Sequence, residues 1–147
     1  MSTNKTIAVG IDYSAPSINA LKEAARIATA QNLKIICFHV FDQDIFNDFH
    51  DGESCDTAEA LVLAHENLND FIREHIGENC DSQAVVKMGN PFEEIIRTLK
   101  EFNPQTLVLG SHGSKTPYVK QVGPLAARCI RMAPVEVLLI RDAHHEA

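Results

Sequence analysis

The chain reads as an α/β protein: an open, mostly parallel sheet covered by helices on both sides. Two observations predict it. Short apolar runs of strand length alternate strictly with stretches of helical period, and the first run is apolar on both faces, as a strand buried between two helical layers must be. At 147 residues the chain has room for one domain and one core, which we place at about residues 5–141.

The first run, Thr6-Ile-Ala-Val-Gly-Ile11, predicts a buried parallel strand. Ser14 or Ser17 then caps a helix whose apolar stripe is Ile18, Leu21, Ala25 and Ala28. The second strand is expected over Lys34 to Phe41. A long helix follows, opened by the capping pair Asp56 and Glu59, with Leu61, Ala64, Leu68, Phe71, Ile72 and Ile76 inward and Gly77 as its stop. Gln83 to Lys87 is the third strand. Asn90-Pro91 with Glu93 starts a third helix, whose face is Ile95, Ile96, Leu99 and Phe102. Thr106 to Leu109 is the fourth strand, Gly123-Pro124 opens a fourth helix ending near Pro134, and Val135 to Ile140 is the last strand. Right-handed crossovers join such units.

Charge narrows the partners. Thirteen Lys and Arg against 20 Asp and Glu leave the chain at −7, which argues against nucleic acid or an anionic membrane surface as a partner. No apolar run approaches the ~20 residues of a membrane span, and the start of the sequence passes straight into the first strand, so a cytoplasmic protein is expected. The four cysteines show no paired spacing, and Cys37 and Cys129 lie among apolar neighbours as small core residues. The acid is uneven. Residues 1–80 are net −8 and residues 81–147 net +1, and Gly110 to Met132 holds Lys115, Lys120, Arg128 and Arg131 with no acid. The densest acidic part is the long connection Asp42 to Cys55, whose Ile45, Phe46 and Phe49 serve either as an anchor or as a lid.

In doubly wound sheets ligands bind beyond the carboxyl ends of the strands. After the fourth strand runs Gly110-Ser-His-Gly113-Ser-Lys-Thr-Pro-Tyr-Val-Lys-Gln-Val-Gly123-Pro124. Glycines in a loop that ends at a helix N-terminus let backbone amides approach a phosphate; equally, they end a strand and begin a helix. Gly113-Ser-Lys-Thr116 is not a P-loop, because a Ser separates Gly from Lys and no helix begins there. Val9-Gly-Ile-Asp-Tyr13 lacks the glycine pattern of a dinucleotide site. His112 either contacts a ligand or faces solvent, and His39 reads as a satisfied strand-end histidine. No nucleophile stands beside a base, so catalysis is not visible.

These residues resemble a family. From Thr6 to Arg141 the chain is similar to the universal stress proteins, whose nucleotide-binding members carry G-x2-G-x9-G followed by Ser or Thr. Gly110, Gly113 and Gly123 match the three glycines. Ile7 to Asp12 with Ser14 and Ser17, His39-Val40, Gly89-Asn-Pro91 and Ala133-Pro-Val135 support the match. The resemblance implies a Rossmann-like three-layer α/β/α sandwich of the adenine nucleotide alpha hydrolase-like type, with a five-stranded parallel sheet in the order 3-2-1-4-5. It implies a site for ATP, ADP or AMP, with or without Mg, formed by Asp12, Val40, Gly110, Ser111, His112, Gly113, Gly123, Pro124 and Leu125. It also implies a homodimer paired through Val135 to Ile140, an unidentified protein partner, a stress-response role, and at most slow ATP hydrolysis. Pro124 departs from the pattern: it has neither the hydroxyl nor the N–H of the Ser or Thr it replaces. A nucleotide-free stress protein with a degenerate loop is the alternative implied by that departure.

Overall fold

The computed structural model describes residues 5–42, 57–111 and 123–141. Strands β1 (Thr6–Gly10), β2 (Lys34–Asp42), β3 (Ser82–Gly89), β4 (Thr106–Gly110) and β5 (Glu136–Ile140) alternate with helices α1 (Ala15–Gln31), α2 (Thr57–Ile76), α3 (Pro91–Phe102) and α4 (Pro124–Met132). All strand pairs are parallel, in the order β3-β2-β1-β4-β5. The expected sheet is therefore the observed one.

Each strand sends alternate side chains to opposite faces. Ile7, Val9, Ile35, Cys37 and Val108 pack with Leu21 and Ala24 of α1 and Leu68 and Ile72 of α2. Ala8, Ile36, Phe38, Leu107 and Leu109 pack with Ile95 and Leu99 of α3 and Ala126 and Cys129 of α4. β1 is apolar on both sides because both sides are covered: Ile7, Ala8 and Val9 are each fully buried. Cys37 and Cys129 are core residues, as expected. Burial pushes their thiols up to about 12 and about 11, so both stay protonated at neutral pH.

Several boundaries move, for local reasons. β1 ends one residue early and β5 starts one residue late relative to the apolar runs, although Ile11 N–H still donates to the Phe38 carbonyl at 2.8 Å. β3 is longer than its apolar run because β2 templates it: Ser82 through Gly89 pair in register with Ile35 through Asp42. Ser14, not Ser17, caps α1; its Oγ accepts from Ser17 N–H, and Asn32 in the left-handed conformation closes the other end. The buried face of α1 is Ser17, Ala20, Leu21, Ala24 and Ala28, with Ile18 and Ala25 at its margin, so the expected stripe is rotated toward the alanines. Small side chains let the helix lie close on the sheet. Asp56 lies outside the described residues; Glu59 stands in the first turn of α2, and Gly77 leaves that helix at φ 74°. Asn90 caps α3 as predicted, accepting from Glu93 N–H at 3.1 Å. The Asp42 to Cys55 connection lies outside the described residues beyond Asp42. No described helix is long and apolar enough to cross a membrane.

Candidate functional site

Strand order reverses between β1 and β4, where the chain leaves β1 toward one edge of the sheet and β4 toward the other. The turn after β1 is held from several directions. His39 Nδ1 lies 2.7 Å from the Ile11 carbonyl oxygen. That oxygen can only accept, so Nδ1 carries the proton and Nε2 is left as an acceptor. Burial pushes the imidazole below its ordinary range, against the opposing effects of the Ile11 hydrogen bond and the Asp12 charge. Its ring stands 4.9 Å from Tyr13 and 5.1 Å from Phe41, and Tyr13 meets Phe71 edge-on at 4.8 Å. Tyr13 has φ 67°, a left-handed conformation costing a side-chain-bearing residue roughly 1–2 kcal/mol. The ring contacts help hold it there. Asp12 Oδ1 accepts from Ser14 N–H at 3.0 Å and from the Ser14 hydroxyl. The cap of α1 and the proposed ligand residue Asp12 are thus one network.

The end of β4 is built from backbone. Gly110 faces α1, and a Cβ there would sit 2.6 Å from Pro16 Cβ and 2.9 Å from the Pro16 carbonyl carbon. The bare Cα lets the first turn of α1 rest on the strand end, which accounts for this glycine without a ligand. Ser111, buried, donates its N–H to the Ile140 carbonyl at 2.9 Å, and its own carbonyl accepts from Gly123 N–H at 2.7 Å. That second bond seats the start of α4 directly beyond β4. Gly123 is buried at the N-cap, while Pro124 and Leu125 are exposed. With Gly123 N–H engaged and Pro124 lacking one, the amides of Leu125 and Ala126 remain at the helix start without a capping side chain.

Val40 lies at the end of β2, half-buried, on the sheet face covered by α3 and α4, while His39 points to the opposite face. Asp12, Val40, Gly110, Ser111, Gly123, Pro124 and Leu125 therefore gather at the carboxyl ends of β1, β2 and β4 and the start of α4. His112 and Gly113, with Lys115 and Lys120, lie outside the described residues. Two further features carried no local signal. Tyr13 packs behind the β1 turn, and the Arg128 guanidinium carbon of α4 stands 3.9 Å from the ring centroid of Phe92 on α3. Both are pairings across elements, visible once the topology is known.

The strand order defines a doubly wound parallel α/β protein whose topological switch point lies between β1 and β4. The chain belongs to the universal stress protein family, whose model matches residues 3–141. The Universal stress protein A-like protein of Arabidopsis thaliana is 30% identical, over 88% of this chain and 82% of its own. Among solved structures, a universal stress protein in complex with cAMP superposes with a TM-score of 0.66 at 22% identity, covering 97% of this chain and 100% of that one. The universal stress protein from Archaeoglobus fulgidus in complex with dAMP superposes with a TM-score of 0.60 at 19% identity, covering 92% and 97%. At these identities the superpositions establish the shared fold.

Proposed function

We propose that the protein binds ATP or a related adenine nucleotide, with or without Mg, at the β1/β4 switch point, and that occupancy rather than turnover is its output. The observation that carries this reading is the seating of α4 beyond β4, which presents two uncapped amides and the positive end of a helix dipole at the crevice. Two superposable structures with an adenine nucleotide bound support it. In this reading Val40 offers apolar surface to the purine, and Asp12 accepts from the ribose. Gly110, Ser111, His112 and Gly113 line the phosphate side with Gly123, Pro124 and Leu125. A cytoplasmic homodimer completes the proposal: β5 has a neighbour on one side only among the described strands, and pairing Val135 to Ile140 with a second copy covers that edge. Nucleotide occupancy then biases dimer or partner contacts in a stress response.

One observation favours the nucleotide-free alternative. Ser111 N–H and Gly123 N–H are both spent inside the fold, and Pro124 has none to give. Analysis of ligand released from purified protein, followed by ATP titration with magnesium, decides between them. A recovered adenine nucleotide or saturable binding supports the proposal; neither, up to millimolar ATP, overturns it. Pro124→Ser restores a hydroxyl and an amide, and is expected to tighten ATP about tenfold, the worth of one charge-assisted hydrogen bond.

A further inference from the structure

Arg128 on α4 stands against an aromatic ring of α3. Arg128 is the fifth residue of α4, one turn above Pro124 on the same face of the helix, and helical side chains lean back toward the N-terminus. Phe92 is the second residue of α3, immediately after the chain leaves β3 at Gly89. A guanidinium 3.9 Å above that ring therefore lies at the carboxyl-end level of the sheet. Phe92 packs against the same core cluster as Val40.

A ring contact of this kind gives the guanidinium no conventional acceptor for its five N–H donors. No carboxylate among the described residues takes them. Glu94, the neighbouring acid with a buried side chain, is paired with Arg97 and rests over Gly89. Glu93 is exposed and forms no ion pair with Arg128 in the described structure. Gly110 to Met132 supplies no acid at all. Among the described residues the charge of Arg128 is therefore not paired with an acid.

Resting on the nucleotide reading above, we propose that Arg128, oriented by the Phe92 ring, is a phosphate-binding and specificity residue of that site. It takes over the anion contact that Pro124 cannot make. The ring contact restrains the side chain, so less side-chain freedom is lost when two N–H groups meet a phosphate oxygen pair. The site then reads phosphate through one side chain on α4 as well as through backbone, and discriminates ATP from adenosine accordingly.

The test is calorimetric titration of the full chain with ATP, AMP and adenosine, for wild type, Arg128→Gln and Phe92→Leu. Arg128→Gln is expected to weaken ATP about tenfold or more, the loss of a hydrogen bond to a charged oxygen, and to leave adenosine within about twofold. Phe92→Leu keeps apolar bulk but removes the ring face, and should weaken ATP in the same phosphate-dependent way by a smaller factor. Unchanged ATP affinity in Arg128→Gln overturns the inference while the nucleotide reading stands. Equal losses for ATP and adenosine overturn it too, since they mark a structural role. Wild type that binds ATP no better than adenosine removes any phosphate reading from the site, and wild type that binds neither overturns this inference and the nucleotide reading together.

Discussion

The two turns at the β1/β4 switch point are secured by different chemistry. After β1 the chain is tied by side chains: His39 holds Ile11, Ser14 holds Asp12, and Tyr13 is wedged among aromatic rings. After β4 it is tied by main chain, with Ser111 bonded to Ile140 and Gly123 bonded to Ser111, and by a glycine that admits Pro16. Side-chain ties are removable one at a time and respond to pH. Backbone ties survive most substitutions and fail only when space is denied.

The largest break is expected where space is denied. Gly110→Ala forces a methyl group to 2.6 Å from Pro16 Cβ, against backbone as well as side chain, and should cost about 1–3 kcal/mol in denaturant unfolding. Gly10→Ala is the control: its closest neighbour is a Leu109 methyl at 2.8 Å, the far end of a side chain that can turn away, so the loss should be clearly smaller. If the two cost the same, the strand end after β4 is not the more rigid of the pair.

A middle-sized effect belongs to the cap. Ser14→Ala removes the acceptor for Ser17 N–H and a donor to Asp12, and is expected to lower stability by about 1 kcal/mol. Ser17→Ala removes only a hydroxyl that donates to the Ser14 carbonyl, so it should cost less. Equal losses would relocate the cap.

The smallest effect sharpens the contrast through pH. Burial puts the folded-state pKa of His39 below its ordinary value of 6.5, so on acidification the unfolded chain takes up this proton first. The associated stability is complete above that value and is lost as pH falls from 6.5 through the lowered folded value. His39→Gln retains an N–H donor for Ile11 without titrating. Thermal melts should show the two proteins converging as pH drops below 6.5; parallel melting temperatures across that range would mean that the imidazole titrates as it does in solution.

Much of this architecture was legible beforehand, and for identifiable reasons. Alternating periods revealed every described strand and helix; short polar side chains before an apolar stripe placed the cap of α3 at Asn90 and narrowed that of α1 to Ser14 or Ser17, of which the structure selects Ser14. The left-handed residues Asn32 and Asn103 that close α1 and α3 were less visible, because asparagine is common in many kinds of loop. The glycine at 110 was legible as a position, but its cause, the first turn of a helix that begins 95 residues earlier at Ala15, is a tertiary contact. Tyr13 at φ 67° carried no local signal, since nothing about a tyrosine announces a left-handed backbone. The tie from His39 to Ile11 and the stacking of Arg128 on Phe92 required the strand order before they could be drawn.

The bond from Gly123 N–H to the Ser111 carbonyl has a consequence in time as well as in space. In the proposed nucleotide site, a wall closed by the protein's own main chain would stand ready before any ligand arrives, so binding would pay little to order it. The Gly123 amide should exchange hydrogen slowly with or without added nucleotide. Under the proposed nucleotide reading, any message from occupancy leaves by another route, and the segments whose exchange changes with added ATP would trace it.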